Sequence, residues 1–293
     1  LVEELFGRRR GALVAIDPRN GEVLAFVSQP GFDPNLFVGG IDQDSWKELN
    51  ASLDKPLLTR ALRGTYPPGS TYQPFMAMAA LITGKRTAGQ AIFDNGSFMF
   101  GNHRFRSHGD HGLGSVDMAR SIVQSSNVYY YMLASEMGVD MIHDQMAPYG
   151  FGEKTGIDLE GEATGDLPST EWKRTKYKRP EQKRWYAGET ISLGIGQGYN
   201  NFTMLQLASA QATLVAGGKR YAPRVVRGIE DAVSRETRIL SSQLVLDMKL
   251  REPDVEVIKR AMFGVTQSGT ATRVFAGAAY ASGGKPGTAQ AVT

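Results

Sequence analysis

The sequence predicts an α/β (α+β) fold, with a mainly antiparallel sheet built from both ends of the chain and helices between. Two observations carry this. Alternating β-branched runs open the chain in "GALVAIDPRNGEVLAFVS" (Gly11–Ser28), and a glycine-broken run, "AYASGGKPGTAQAVT", closes it. Capped segments of helical periodicity fill the middle. A strand hairpin, then helices, then a strand is the order of a layered α/β domain. We expect one domain over residues 1–293, with a sheet part at about 11–30 and 275–293 and a mostly helical lobe at about 66–270.

The first two strands flank "DPRNG", which holds the Pro, Asn and Gly that a tight turn uses. A loop-rich stretch follows to about Tyr66. In "YPPGSTYQPF" (Tyr66–Phe75), two prolines and a glycine lead into Ser70, and "FMAMAALI" follows. That punctuation predicts a turn and then a helix running to Gly84, a C-terminal glycine. On position alone Ser70 has two readings. It caps the helix, or it is a nucleophile held where free N–H groups face developing negative charge. Asp94–Gly114 reads as irregular and polar. Further helices are predicted at Val116–Gln124, Val128–Met137, Val139–Pro148, Thr203–Ala216 with a threonine cap, and Pro253–Gln267 with an acidic first turn.

Composition excludes several classes. A net charge of +3 is too mild for a nucleic-acid partner. No run of eighteen apolar residues is present, and no signal peptide is read. Zero cysteines removes disulfides and thiolate chemistry. The abrupt "LVEELFGRRR" start and "GTAQAVT" end read as those of a fragment.

Three short stretches line up in order: Ser70-Thr71-Tyr72-Gln73, then Ser125-Ser126-Asn127 at a break between helical segments, then Lys285-Pro286-Gly287-Thr288. Their order resembles the penicillin-recognising serine acyltransferases, whose elements are S-x-x-K, S-x-[ND] and K-[TS]-G. Longer stretches extend the likeness from Gly11 to Gln290: "RALRGTYPPGSTYQPFMAMAAL", "SSNVYYYMLASEMG", "YGFGEKTGIDLEGEATGDLPS" and "WYAGETISLGIGQGYNNFTMLQLASA". These resemble the penicillin-binding protein 2 group, the elongation-specific class B transpeptidases of rod-shaped bacteria.

The resemblance implies a β-lactamase/transpeptidase-like fold: a five-stranded sheet flanked by helices, plus an all-helical lobe. It implies that Ser70 attacks a D-alanyl-D-alanine carbonyl of a peptidoglycan stem peptide, or a β-lactam antibiotic, and is acylated. Position 73 would hold the base, within reach of Ser70 because i and i+3 share a helix face. Ser125 would pass a proton to the leaving amine, Asn127 would hold the substrate amide, and Lys285 would supply positive field. The N–H groups of Ser70 and Thr288 would form the oxyanion hole, beside Gly287. No cofactor is implied. Implied partners are a SEDS-type glycosyltransferase and a scaffold protein, at the periplasmic face of the inner membrane. A membrane anchor, a pedestal domain, two more strands and a terminal helix are implied beyond this chain. Without those strands we expect unpaired sheet edges and marginal stability.

Two positions depart from the pattern. Gln73 stands where the family has lysine, and a neutral amide cannot take a proton near neutral pH. Pro286 stands where the family has Thr or Ser, which removes a hydroxyl and an N–H. Both predict impaired acyl transfer. They favour one alternative, a catalytically silent scaffold of the same fold. A second alternative, a β-lactamase or β-lactam sensor, is disfavoured by "GIDLEGEATGDLPS" and "ISLGIGQGY".

Four other features have plainer readings. Lys154-Thr155-Gly156 repeats K-T-G in an acidic loop context and is set aside. His103, His108 and His111, with Asp94 and Asp110, match no compact ligand spacing and read as a polar loop. Some relatives carry a metal nearby; Asp94 and His111 would be two ligands, and a cysteine-type ligand would fall at Ser126. No metal is expected. The basic "EWKRTKYKRPEQKRW" (Glu171–Trp185) reads as a solvated, mobile loop, and "VYYYM" (Val128–Met132) as the core face of a helix.

Overall fold

The computed structural model describes residues 1–107 and 111–289. The hairpin forms as its alternation requires. Strand β1 (Gly11–Ile16) pairs antiparallel with β2 (Val23–Gln29), in register from Gly11↔Gln29 to Ala15↔Ala25, with a bulge before Ile16. One face carries Val14, Ile16, Val23 and Phe26, which pack on buried Leu62, Ile157 and Leu205.

The main core is built around the helix Gln73–Thr83, buried at every position from Gln73 to Ala80. It starts from a 3-10 turn, Gly69–Tyr72, and ends at Gly84 with φ 67°. Tyr72, Phe75, Phe151 and Phe202 form an aromatic cluster beside it; the Phe75 and Phe151 rings lie 5.2 Å apart and edge to face. Tyr129, Tyr130 and Leu133 pack in from the helix Asn127–Met137, Met146 from Val139–Met146, Leu214 from Met204–Val215, and Ile258 from Glu252–Gln267.

The helices form where caps predict them. Thr203 accepts from Gln206 N at 3.0 Å, and Gln206 Oε1 accepts from Thr203 N at 2.9 Å, a reciprocal cap. The segment expected to begin at Val116 begins at Met118 instead, because Asp117 caps it and accepts from Arg120 N at 2.8 Å. "VYYYM" is core, with Tyr129 and Tyr130 fully buried.

Three expectations need correction. Asp94–Gly114 is more regular than its composition implies: Ile92–Asp94 pairs with Gly114–Val116, and Ser97–Phe100 with His103–Arg106. Runs of three or four residues are too short to show alternation. Second, the basic stretch is partly folded. Ser169 caps a helix, Thr170–Lys176, and Lys173 is buried beside Glu189 and the rings of Trp185, Tyr186 and Tyr199. Aromatic residues interleaved with the charges supply its apolar surface. Third, although the mixed α/β class holds, the expected strand over 275–293 is not formed among the described residues, where strands pair only in twos. Thr272–Phe275 is a helical turn, and 276–289 runs without a ladder. A strand needs a partner; Pro286 offers no N–H, and four glycines offer no side chain to pack. Scattered bonds hold the segment: Gly284 N donates to Met262 O at 3.0 Å, and Thr266 Oγ1 to Ser282 O at 2.6 Å.

Candidate active site

Three distant segments meet in one cleft of about 380 Å³. Ser70, Ser125, Asn127, Lys285, Pro286 and Thr288 line it. Gln73 is fully buried beneath, and its amide joins the other groups. Gln73 Nε2 donates to Ser70 Oγ and to Asn127 Oδ1, each at 3.4 Å. Gln73 Oε1 accepts from Ser125 Oγ at 3.2 Å. Lys285 Nζ donates to Ser125 Oγ at 2.8 Å and to Pro286 O at 3.1 Å. Ser70 caps nothing: Tyr72 is the N-cap residue and makes no side-chain cap bond.

Backbone packing places the Ser70 turn. Gly69 has φ 58°, and a Cβ there would stand 2.6 Å from Thr288 O. A Cβ on Gly196 would stand 2.2 Å from Gly69 O, and one on Gly287 would stand 2.9 Å from Pro68 O. Main chain thus touches main chain on both sides of the serine. Gly69 N donates to Gly196 O at 3.0 Å, and Gln197 Nε2 to Thr288 O at 3.3 Å.

The second motif sits on a strained turn. Ser125 has φ 57°, a left-handed conformation that side chains disfavour. Ser126 N donates to Ser121 O at 3.0 Å. Ser126 Oγ accepts from Tyr129 N at 3.3 Å, capping the Asn127 helix, and donates to Asp94 Oδ2 at 2.6 Å. Asp94 is buried, and its Oδ1 accepts from Gly96 N at 2.8 Å. This bond straps the turn to the Ile92–Asp94 strand.

Burial lowers the Lys285 ammonium to about 8, and no carboxylate among the described residues offsets it. Elsewhere a carboxylate wins. Burial opposes the charge on Lys173, yet Glu189 and Tyr199 raise its pKa above the ordinary value.

The metal reading does not fit the described residues. The Asp94 carboxylate is engaged by Ser126 and Gly96, Ser126 is a neutral hydroxyl, and His111 lines the cleft. No group of three His, Cys, Asp or Glu gathers among the described residues. His103 is exposed and stacks edge-on against Phe105; His108 and Asp110 lie outside the described residues, as does Gln290. Lys154-Thr155-Gly156 lies in a loop clasped by Glu162, whose Oε1 accepts from Thr155 N at 2.7 Å.

Residue-by-residue reading put His111 in a polar loop and missed Ser107, Leu113, Gln124, Ile195 and Thr270 in the cleft lining, and Gln197 at its rim. The glycine spacing of "GIGQG" was the available signal for Ile195 and Gln197; Thr270 had only a turn sequence after a helix end.

The penicillin binding protein transpeptidase domain family matches residues 11–293. The chain belongs to that family. It is 40% identical over 296 residues to the peptidoglycan D,D-transpeptidase MrdA of Haemophilus influenzae, covering 99% of this chain and 44% of that protein. It is 42% identical over 290 residues to MrdA of Acinetobacter baumannii, covering 98% of this chain and 42% of that one. The chain therefore spans less than half the length of these curated relatives. Among solved structures, Pseudomonas aeruginosa PBP2 in complex with WCK 5153 superposes with a TM-score of 0.88 at 40% identity, over 99% of this chain and 64% of that one. The complex between PBP2 and MreC from Helicobacter pylori gives 0.86 at 29% identity, over 99% and 52%. This transpeptidase-family chain has no helix among its described residues that is long and apolar enough to cross a membrane.

Proposed function

We propose that this chain is the D,D-transpeptidase domain of a peptidoglycan synthase acting in cell elongation, with acyl transfer weakened by Gln73 and Pro286. The observation that carries the reading is the hydrogen-bonded run Ser70–Gln73–Ser125–Lys285, drawn from three separate segments into one cleft. Ser70 Oγ attacks the carbonyl of a D-Ala-D-Ala stem peptide, and the terminal D-alanine leaves. The tetrahedral oxyanion is met by the N–H groups of Ser70 and Thr288, a reading supported by the close approach of Gly69 to the Thr288 main chain. Ser125 carries a proton toward the leaving amine, Asn127 holds the substrate amide, and Lys285 faces the substrate carboxylate. Gly287 allows the approach, and Pro286 withholds the hydroxyl that the family motif has there. An amine of a second stem peptide then takes the acyl group.

A β-lactam would acylate the same serine. From the family resemblance we place the whole protein at the outer face of the inner membrane, with a scaffold protein and a glycosyltransferase as partners; the solved complex of a PBP2 with MreC supports a protein partner. Over the chain, the reading keeps one domain, with a sheet part at about 11–30 and the helical lobe at about 66–270.

A second reading, a silent scaffold, is favoured by the Gln73 amide, which fills the base position with a group that takes no proton. Intact-mass spectrometry after incubation with a penicillin separates the two. It is run on the unaltered protein, Gln73→Lys, Pro286→Thr and the double variant. Antibiotic mass on Ser70, at least in the variants, supports a transpeptidase. No adduct in any of the four overturns it.

A further inference from the structure

One run of hydrogen bonds in the cleft donates toward Ser70. Lys285 donates to Ser125, Ser125 to the Gln73 carbonyl oxygen, and the Gln73 amide nitrogen to Ser70 Oγ. In that state Ser70 accepts a hydrogen bond, and among the described residues none takes its proton. Activation requires the direction to reverse. The Gln73 amide has no proton-accepting form near neutral pH. Of the other groups that line the cleft, Ser107, Gln124 and Thr270 are neutral; among the described lining residues only His111 and Lys285 have ionisable side chains.

We infer that Lys285, in its neutral form, is the terminal proton acceptor for Ser70, reached through the Ser125 hydroxyl. This rests on the transpeptidase reading and assigns to Lys285 a task beyond supplying positive field. With Nζ neutral, the 2.8 Å contact inverts: Ser125 O–H donates to Nζ, and Ser125 Oγ offers a lone pair to Ser70 O–H, directly or through one water. The two hydroxyls already share one amide head, at 3.4 and 3.2 Å. The step balances. The Ser70 proton moves to Ser125 as the Ser125 proton moves to Nζ. The freed Ser70 lone pair forms the C–O bond to the acyl carbon. When the C–N bond breaks, its electrons stay on nitrogen, and the proton returns from the Lys285 ammonium through Ser125.

The surroundings make the neutral form accessible. Behind Lys285 lies a groove lined by Leu13, Val14, Met204, Met262 and other side chains that do not titrate. Burial is the force on its ammonium, and its pKa falls to about 8. A base near that value transfers protons efficiently close to physiological pH.

The test is the rate of acylation of the intact protein by a fluorescent penicillin, between about pH 6 and pH 10. The expected rate rises about tenfold per pH unit below about pH 8 and is level above it, as for one group that must lose a proton. Lys285→Arg, which keeps the charge but stays protonated, should abolish the rise; Lys285→Gln should do the same without an added guanidinium. Gln73→Lys should acylate faster at pH 7 and lose the rise. A flat profile in the unaltered protein overturns the inference. So does a rise centred at about pH 6.5, well below the Lys285 value, which would point to another base. If Gln73→Lys acylates and the unaltered protein does not at any pH, the inference fails while the transpeptidase reading stands. If neither acylates, both fail.

Discussion

Ser126 stands between two cleft residues without lining the cleft, and replacing it by alanine tests what holds the turn. Its hydroxyl makes two buried bonds, accepting from Tyr129 N and donating to Asp94 Oδ2. Loss of the cap costs about 1 kcal/mol. Leaving a buried carboxylate without its donor costs roughly 1–3 kcal/mol more. The expected total for Ser126→Ala is about 2–4 kcal/mol, and at roughly 2 °C per kcal/mol for a chain of this size the melting temperature falls by about 4–8 °C. Circular dichroism melts of Ser126→Ala, Asp94→Ala and the double variant form a cycle. It should return a coupling of about 1–3 kcal/mol, because both residues contribute to one bond. Penicillin acylation should fall with stability, since Ser125 and Asn127 ride on the same turn. A Ser126→Ala melt within about 1 °C of the unaltered protein would refute the reasoning. It would mean that the 2.6 Å bond is replaced by water at no cost.

Three further outcomes are expected. Lys285→Met should stabilise the protein at pH 7, by at most about 3 kcal/mol from a shift of 10.5 to about 8, less about 1 kcal/mol for the lost Ser125 bond. The folded lysine loses its proton near pH 8 and the unfolded one near pH 10.5, so the burden on the unaltered protein lifts between them; parallel pH–stability curves for the two proteins would contradict this. Gly196→Ala, with φ 69° and a Cβ 2.2 Å from Gly69 O, should displace the Ser70 turn, and acylation should drop at least tenfold with secondary structure retained. Glu189→Ala should cost about 3 kcal/mol in a denaturant titration by leaving buried Lys173 unpaired. Glu189 has a lowered pKa, because Lys173 outweighs the burial that would raise it. Its stabilisation is therefore present at neutral pH and fades as pH falls through the acidic range.

Local signals were legible in the sequence and relational ones were not. The "DPRNG" turn, the Thr203 cap and the terminal glycine Gly84 each act within a few residues, and each forms where read. The motif serines and Lys285 were found because their types and order are distinctive, and the structure brings them into one cleft. The last strand was misread because a strand exists only beside a partner. Lys173 reads from sequence as a solvated charge because nothing in "EWKRTKYKR" shows that Glu189 and three aromatic rings will surround it. Asp94 and Ser126 were weighed as metal positions, since a carboxylate and a hydroxyl 32 residues apart do not show from sequence that they bond to each other.

The close approach of Gly69, Gly196 and Gly287 has a consequence for how such a site can change. The location of Ser70 is dictated by peptide units in contact, not by the side chains that do the chemistry. Frame and reagents are therefore separable. A substitution such as glutamine at 73 or proline at 286 alters which protons can move and which groups greet a substrate, while the serine keeps its place. Such a lineage can lose its reactivity, or reroute it, in single steps without first losing its architecture.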